Sequence, residues 1–190
     1  MPHAGLPVTI TLVPVGSLDK TLLSVIGEAV ARTFGRAWAP AQPLAQPLYA
    51  YNAQRRQYLA SAILNCLSEL HWPATERVLG LVDEDLYVPE LNFVFGQALL
   101  GGRAAVIALP RLRQGFYGLP DDDRLFRERA IKEAIHELGH TYGLRHCPDR
   151  RCVMHFSNSL HDTDEKQATF CVQCRAAVER QSIRPCKGVG

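Results

Sequence analysis

Three histidines and a glutamate lie within the run HELGHTYGLRH, from His136 to His146. His136 and His140 are four residues apart, which places both imidazoles on the same side of a helix, one turn apart. Gly143 can end the helix and let the backbone turn, so that His146 returns to the same point. This spacing predicts a zinc ion held by three imidazoles, with a fourth position open for water, as in catalytic rather than structural sites.

Glu137 follows the first of these histidines directly, where its carboxylate can reach a water at the open position. Zinc lowers the pKa of such a water toward about 7. Glu137 would act as general base, accepting the proton and passing it to the leaving amine during hydrolysis of a peptide bond. The alternative is a non-catalytic or very narrowly specific peptide-binding module stabilised by zinc, although a purely structural site has no use for Glu137. The remaining interpretations are a helix with incidental histidines and a nucleic-acid-binding zinc finger, against which the lack of a basic stripe argues.

Four of the six cysteines follow the histidines closely: Cys147, Cys152, Cys171 and Cys174. Two such pairs can bind one zinc tetrahedrally in a site closed to water, which would make it structural. Free thiols or disulfides are the alternative. Because Cys147 adjoins His146, a zinc bound there would hold the loop that presents this histidine. Cys66 lies on an apolar helical stripe and is interpreted as a core residue, and Cys186 has no assigned role.

Apolar patterns predict the elements that carry these residues. Short apolar runs bounded by Gly, Pro or Asp predict four strands, at Val8–Val15, Val78–Val82, Asn92–Phe95 and Ala104–Leu109. Helical spacing predicts four helices, at Leu22–Phe34, Leu59–Leu70, Pro120–Gly143 and Asp164–Gln181. Gly35 is a plausible stop for the first helix, and Asn52 a plausible N-cap for the second. Trp38–Pro47 is predicted to be a loop or an edge piece, and Pro148–Asp162 to be irregular.

The helix that carries the histidines has two different sides. Its apolar residues form one stripe: Ile131, Ala134, Ile135, Leu138 and Tyr142. At about 100° per residue, Glu133, His136 and His140 lie roughly on the opposite side. The apolar stripe can therefore pack on a sheet while the histidines face a cleft.

Composition narrows the choice of protein class. Hydrophobic residues make up 47% of the chain and charged residues 21%, which suits one globular domain. A net charge of +2, without a block of like charge, provides no electrostatic argument for nucleic acid or an anionic membrane. No apolar run suits a membrane span, and the N-terminus lacks the pattern of a secretory signal. We expect a cytoplasmic monomer without a nucleic-acid or membrane partner.

The run HELGHTYGLRHCPDRRCVMHFSNS, followed by FCVQC, resembles the archaemetzincin family of zinc metallopeptidases, part of the metzincin clan. The resemblance is strong over about 40 residues and weaker upstream, for example at Asn92–Gly96. It implies two zinc ions per chain. The catalytic zinc would be bound by His136, His140 and His146, with Glu137 as base. The structural zinc would be bound by Cys147, Cys152, Cys171 and Cys174. Met154 would be the methionine of the tight turn beneath the catalytic zinc.

The resemblance also implies a compact α/β fold of the metzincin type. We expect a twisted mixed β-sheet with two backing helices, an active-site zinc helix and a small C-terminal subdomain with the structural zinc. The domain spans residues 1–190, divided into subdomains 1–143 and 144–190. A peptide or protein substrate is expected to pair with an edge strand, for which Asn92–Gly96 is the candidate, although an interior strand is the alternative. Several metzincins have a tyrosine shortly after the turn methionine, but His155, Phe156 and Ser157 follow Met154 here. His155 is therefore either an oxyanion helper or an exposed loop residue.

Overall fold

The structure is a computed structural model, which describes residues 9–182 and, for Ser182, the backbone only. Within this range the strands are β1 Thr9–Val15, β2 Ala37–Pro40, β3 Tyr51–Asn52, β4 Gln57–Leu59, β5 Thr75–Val82, β6 Leu86–Tyr87, β7 Gly96–Ala98 and β8 Ala104–Ala108. The α-helices are α1 Lys20–Phe34, α2 Ala60–Glu69, α3 Asp123–Thr141, α4 Leu160–Glu165 and α5 Val172–Ser182.

The main sheet has the strand order β2-β1-β5-β8-β7. Its first four strands are parallel, and β7 runs antiparallel to β8 at the edge. Side chains alternate between the two faces of a strand, so one face of the sheet packs against α1 and α3 and the other against α2. A smaller sheet, β3-β4-β6, lies beside it. The predicted mixed sheet with two backing helices and a separate histidine helix is confirmed.

Most predicted strands and the first helix are close to those observed. Val8 lies outside the described residues, β5 begins earlier than Val78, and β8 ends one residue before Leu109. Helix α1 ends at Gly35, whose φ of 63° is left-handed backbone that glycine adopts without strain. The segment Trp38–Pro47 is partly an edge piece, because β2 pairs with β1 and the remainder is mostly irregular.

The prediction of a strand at Asn92–Phe95 is wrong, because the strand in this region is β7, which begins at Gly96. Side chains occupy the backbone carbonyls of Leu91 and Asn92, which a strand partner would otherwise use. The carbonyl of Asn92 accepts hydrogen bonds from Gln57 at 2.8 Å and from Arg55 at 3.1 Å. Arg55 also donates to the carbonyl of Leu91 at 2.9 Å. These contacts hold the segment in an irregular path that leads into the edge strand.

Asn52 is not the N-cap of α2, so that prediction is also wrong. It lies in β3, and its side-chain oxygen accepts hydrogen bonds from the backbone N–H groups of Gln54 and Arg55 at 3.0 and 3.1 Å. Asparagine favours tight turns by the same side-chain-to-backbone bonding that makes it a good cap. Helix α2 instead begins after Leu59, which makes no side-chain cap bond.

The predicted helix Asp164–Gln181 is two helices. Ser159 caps α4, its hydroxyl accepting from the N–H of Asp162 at 3.2 Å. The chain then leaves the helical path at Lys166 and re-enters one at Val172. The break has a tertiary cause: the side chain of Lys166 is buried against Glu133 of α3, which a continuous helix pattern does not anticipate.

The predicted histidine helix is α3, somewhat shorter than Pro120–Gly143. Asp122 caps its start by accepting from the N–H of Leu125 at 2.9 Å, and the carboxylates nearby suit the positive end of the helix dipole. Gly143 follows its end with a φ of 80°. This left-handed residue turns the chain back toward the helix, as predicted, so that His146 approaches His136 and His140.

The chain after α3 packs on the same core as the sheet. Val153, Met154, Phe170 and Val178 are buried in the cluster that α1 and α3 form with the sheet. The ring of Phe170 meets that of Phe34 edge to face at 5.5 Å. Among the described helices, none combines the length and apolar character needed to cross a membrane.

Candidate metal centres and the adjoining cleft

Three histidines converge from α3 and the turn that follows it. One donor atom from each of His136, His140 and His146 lies within 4.8 Å of the others. The Nε2 atoms of His136 and His140 are 3.1 Å apart. Two nitrogens bound at about 2.05 Å to a tetrahedral zinc would be about 3.3 Å apart. The donor set and its spacing therefore suit zinc.

Backbone carbonyls orient two of these rings. The Nδ1 of His136 lies 2.8 Å from the carbonyl oxygen of Val153, and the Nδ1 of His140 lies 2.7 Å from that of Leu144. Because a carbonyl can only accept, each Nδ1 must carry the proton. Each Nε2 then keeps its lone pair for a metal, the arrangement in which protein histidines commonly bind zinc.

The surroundings also keep the imidazoles neutral. Burial holds the pKa of His136 well below its usual value, and the positive charge of Lys166 adds to the effect. Burial likewise lowers the pKa of His140 and of His146. Metal ligation requires the neutral ring, so these shifts favour the ligating form near neutral pH.

Glu137 lies beside the histidines with its carboxylate buried against the edge strand. Burial raises the pKa of this carboxyl well above its usual value, and the charge of Glu133 adds to the rise while Lys166 opposes it. A Cβ at Gly96 would lie 2.5 Å from Cγ of Glu137 and 2.7 Å from the carbonyl oxygen of Val106. Only glycine lets β7 approach the carboxylate this closely.

Met154 lies against the middle of the histidine helix. Its side chain is fully buried, and a Cβ at Gly139 would lie 2.4 Å from its sulfur. The turn that carries it is closed by the N–H of Cys147, which donates to the carbonyl of Met154 at 2.9 Å. The N–H of His155 donates to the carbonyl of Cys152, also at 2.9 Å. This turn therefore lies directly beneath the part of α3 between His136 and His140.

The four predicted cysteines also come together. The sulfurs of Cys147, Cys152, Cys171 and Cys174 all lie within 4.8 Å of one another. Those of Cys147 and Cys171 are 3.8 Å apart, which equals the separation of about 3.8 Å for two thiolates bound at 2.3 Å to a tetrahedral zinc. None of the cysteines within residues 9–182 forms a disulfide. This second group is therefore a suitable site for a structural zinc, and Cys66 is not part of it.

A network of charged side chains ties α3 to the segment around α4, and sequence reasoning missed it. Lys166 lies 2.8 Å from Glu133, with the side chains 0% and 3% exposed. Arg129 donates to both oxygens of Asp164 at 2.7 and 2.6 Å. Lys132 donates to the carbonyl of Thr163 at 3.0 Å. Glu133 was on the predicted histidine face, but nothing local to Lys166 indicates a buried partner so far away in the chain.

The histidines and Glu137 form one wall of a cavity of about 390 Å³. The segment 93–98, which includes the edge strand, forms the opposite wall, and Phe156–Asn158 also contribute. The ring of Phe156 lies 5.0 Å from that of His146. A volume of this size can hold part of a peptide. Phe156 is a further site residue that the sequence patterns did not indicate. Gly96 was indicated only as the last residue of the candidate edge strand, although a glycine directly after an apolar run is a signal for close approach.

His155 does not line this cavity. It is half-buried rather than exposed, and its Nδ1 lies 2.9 Å from the carbonyl oxygen of Cys147. The expectation of an exposed loop histidine is therefore wrong, because the ring packs back onto the turn.

Comparisons with known proteins agree with this geometry. The family model described as Peptidase family M54 matches residues 42–180. The archaemetzincin of Thermococcus kodakarensis is 42% identical over 181 residues, which cover 92% of this chain and 95% of that protein. The crystal structure of archaemetzincin from Methanopyrus kandleri has a TM-score of 0.83 and 42% identity, covering 96% of this chain and 99% of that chain.

A second solved structure extends the likeness to a more distant relative. The zinc-dependent peptidase from Methanocorpusculum labreanum has a TM-score of 0.81 at 27% identity, covering 89% of this chain and 99% of that chain. The histidine and cysteine groups of the structure suit the two zinc ions that the sequence predicted. These matches show that the chain belongs to the archaemetzincin family, peptidase family M54, and is a zinc metallopeptidase.

Proposed function

We propose that the catalytic zinc is held by His136, His140 and His146, and that Glu137 is the general base for peptide-bond hydrolysis. The observation that carries the proposal is the 3.1 Å approach of two imidazole nitrogens beside a buried carboxylate, all on one cleft. When bound, zinc supplies a Lewis acid that lowers the pKa of water and polarises a carbonyl.

The role of Glu137 follows from where its carboxylate lies. It lines the same cavity as the histidines, where it can accept a proton from water and donate it to the leaving amine. Burial raises its pKa, which makes the carboxylate a better proton acceptor than an exposed one. Gly96 leaves the room beside β7 that this side chain occupies.

The edge strand β7 is our candidate for binding the substrate main chain. It pairs with β8 on one side and contributes residues 96–98 to the cavity on the other. An extended peptide that adds to this edge would gain main-chain hydrogen bonds with little demand on side chains. The candidate segment Asn92–Gly96 is thereby shifted to Gly96–Ala98, and the alternative of an interior strand is wrong because β7 is the edge of its sheet.

We further propose that Cys147, Cys152, Cys171 and Cys174 hold a structural zinc that anchors the turn of Met154. The N–H of Cys147 and the carbonyl of Met154 close this turn, and the carbonyl of Val153 orients His136. A metal at the cysteines would therefore stabilise the chain that presents His146 and the chain that orients His136. The subdomain division at residue 143, the cytoplasmic location and the monomeric state stay predictions.

Replacing Glu137 by Gln tests the mechanism. The zinc-loaded protein and the variant would be compared on a peptide library, with zinc content measured in both. We expect the variant to keep two zinc ions and to lose about 10²- to 10⁴-fold in kcat/KM. Glu128→Gln is the matched control, because Glu128 lies on the same helix with its side chain 45% exposed.

Two outcomes would contradict the proposal. Cleavage by Glu137→Gln at the wild-type rate would remove Glu137 from the role of base. A wild-type protein with both zinc ions that binds library peptides but cleaves none, like the variant, would instead support the peptide-binding module.

A further inference from the structure

Arg145 contributes a positive charge to the cleft. It directly precedes His146, is exposed, and lines the same cavity as the histidines. Within residues 9–182 its guanidinium has no carboxylate partner. The carboxylates that line the cavity are engaged elsewhere, since Glu133 pairs with Lys166 at 2.8 Å and Glu137 is buried against Gly96.

Two acidic residues in the chain after His146 make hydrogen bonds within their own turns. Asp149 accepts a hydrogen bond from the N–H of Arg151 at 2.9 Å. Asp162 accepts from the N–H of Asn158 at 3.0 Å and from the hydroxyl of Ser159 at 2.8 Å. These carboxylates serve the local turns of the loop. The charge of Arg145 therefore remains available to a molecule that enters the cleft.

Two further polar side chains line the same cavity, Ser157 and Gln97. The hydroxyl of Ser157 and Oε1 of Gln97 are both buried and have no hydrogen-bond partner within the described part of the chain. The hydroxyl can donate to a carboxylate oxygen of a bound peptide, whereas Oε1 of Gln97 can only accept, which suits a main-chain N–H of that peptide.

Away from Arg145, the zinc ligands and the two glutamates, the side chains that line the cavity are neutral, and most of them are apolar. Leu91, Phe93, Leu100 and Phe156 line it. Such a surface accepts the stem of a glutamate or of a glutamine with little discrimination. An arginine fork, in contrast, binds a carboxylate through two parallel hydrogen bonds that an amide cannot match.

We propose that Arg145 selects substrates that present a carboxylate close to the scissile bond. The inference rests on the proposed function, because the scissile bond is placed by the zinc at His146. Since Arg145 adjoins that ligand, the carboxylate would belong to a residue within about two positions of the cleaved bond. It is either the side chain of an Asp or Glu or the C-terminal carboxylate of a short peptide, and both share the same chemistry.

Paired peptides test the proposal on the zinc-loaded protein. Each pair differs only by Glu or Gln at one position beside the cleavage site, and each peptide is made with a free or an amidated C-terminus. We expect about tenfold higher kcat/KM for the peptide with the recognised carboxylate, as for one charged hydrogen-bonded contact at a partly exposed site. The position and the terminus that matter identify which carboxylate Arg145 binds.

Substitution of Arg145 provides the decisive comparison. Arg145→Gln should reduce the preference to near unity, and Arg145→Glu should reverse it in favour of a Lys-containing peptide. Arg150→Gln is the matched control: it removes the same charge from the same loop, but Arg150 is 78% exposed and does not line the cavity. It should keep the preference. If Arg145→Glu fails to fold, as judged by melting temperature, Arg145→Gln carries the test.

A binding measurement separates this inference from the proposed function. Fluorescence anisotropy would follow the same peptides on zinc-loaded Glu137→Gln, with and without Arg145→Gln. A wild-type protein that cleaves no peptide would refute the proposed function, yet carboxylate-dependent binding lost with Arg145 would still support the inference. Equal cleavage and equal binding of Glu and Gln peptides, unchanged by Arg145→Gln, would overturn it.

Discussion

Replacement of Lys166 by Met removes the cation that joins the segment after α4 to the histidine helix. The Nζ of Lys166 lies 2.8 Å from a carboxylate oxygen of Glu133, and the two side chains are 0% and 3% exposed. In the variant that carboxylate would stay buried without a counter-charge. Loss of one member of a buried ion pair costs about 3–5 kcal/mol. The contact lacks the angles of a hydrogen bond, so we expect the lower end, about 3 kcal/mol.

The double variant Glu133→Leu with Lys166→Met separates the charge from the packing. Apolar replacement of a whole buried pair is often close to neutral. We therefore expect the double variant to recover most of the loss seen with Lys166→Met alone. Glu128→Gln is the surface control, because its pair with Arg124 has side chains 45% and 75% exposed. That change should alter the free energy of unfolding by about 0.5 kcal/mol or less.

Urea unfolding followed by circular dichroism measures these differences. Free zinc must be buffered at one concentration throughout, because a ligand that binds only the folded chain adds to its apparent stability. A loss below about 1 kcal/mol for Lys166→Met would refute the view that Glu133 depends on this cation. The single variant Glu133→Leu completes the comparison. A double variant whose loss of stability equals the sum of the losses of Lys166→Met and Glu133→Leu would also refute it, since the effects of coupled residues should not add.

Three further predictions concern the site. Gly96→Ala should lower kcat more than peptide affinity in steady-state kinetics, because the new methyl group would lie 2.5 Å from Cγ of Glu137 and displace it; an unchanged kcat would contradict this. Cys171→Ser combined with Cys174→Ser should remove one zinc, lower the melting temperature and weaken the binding of zinc at the histidines. Metal analysis that finds the histidine-bound zinc unchanged, together with an unchanged melting temperature, would refute the anchoring role. The chelated protein should lose stability as the pH falls below about 6.5, the unfolded pKa of histidine. Burial lowers the pKa of His136, so in that range the unfolded chain binds protons that the folded chain does not; a melting temperature constant from neutral to acidic pH would argue against it.

Local patterns predicted the main elements well where one periodicity dominated. The apolar spacing of Leu22–Phe34 with Gly35 after it became α1, and the short apolar runs at β1 and β5 became strands of a sheet covered on both sides. Helix geometry makes positions four apart neighbours whatever surrounds them. The meeting of His136 and His140 therefore follows from their spacing alone.

The predictions that were wrong share a tertiary cause. At Asn92 the backbone bonds to the side chains of Arg55 and Gln57 rather than to a strand. Near Lys166 a buried ion pair interrupts what the sequence pattern suggests is one helix. Asn52 has a side chain that suits a cap and a turn equally, and the hairpin between β3 and β4 decides for the turn. In each case the deciding partner is distant in sequence or equally compatible with two local structures.

For this protein the residue types and their spacing alone determined the ligand chemistry: imidazoles one helical turn apart, thiols in pairs, and a carboxylate beside the first histidine. Those features depend on bonds and helix geometry within a few residues. Only the tertiary structure decided that Glu137 is buried against Gly96, that a carbonyl near Met154 orients His136, and that Arg145 lines the cleft without a carboxylate partner among the described residues. Burial, orientation and the sharing of charges depend on which distant segments pack together, and a local pattern carries no information about that.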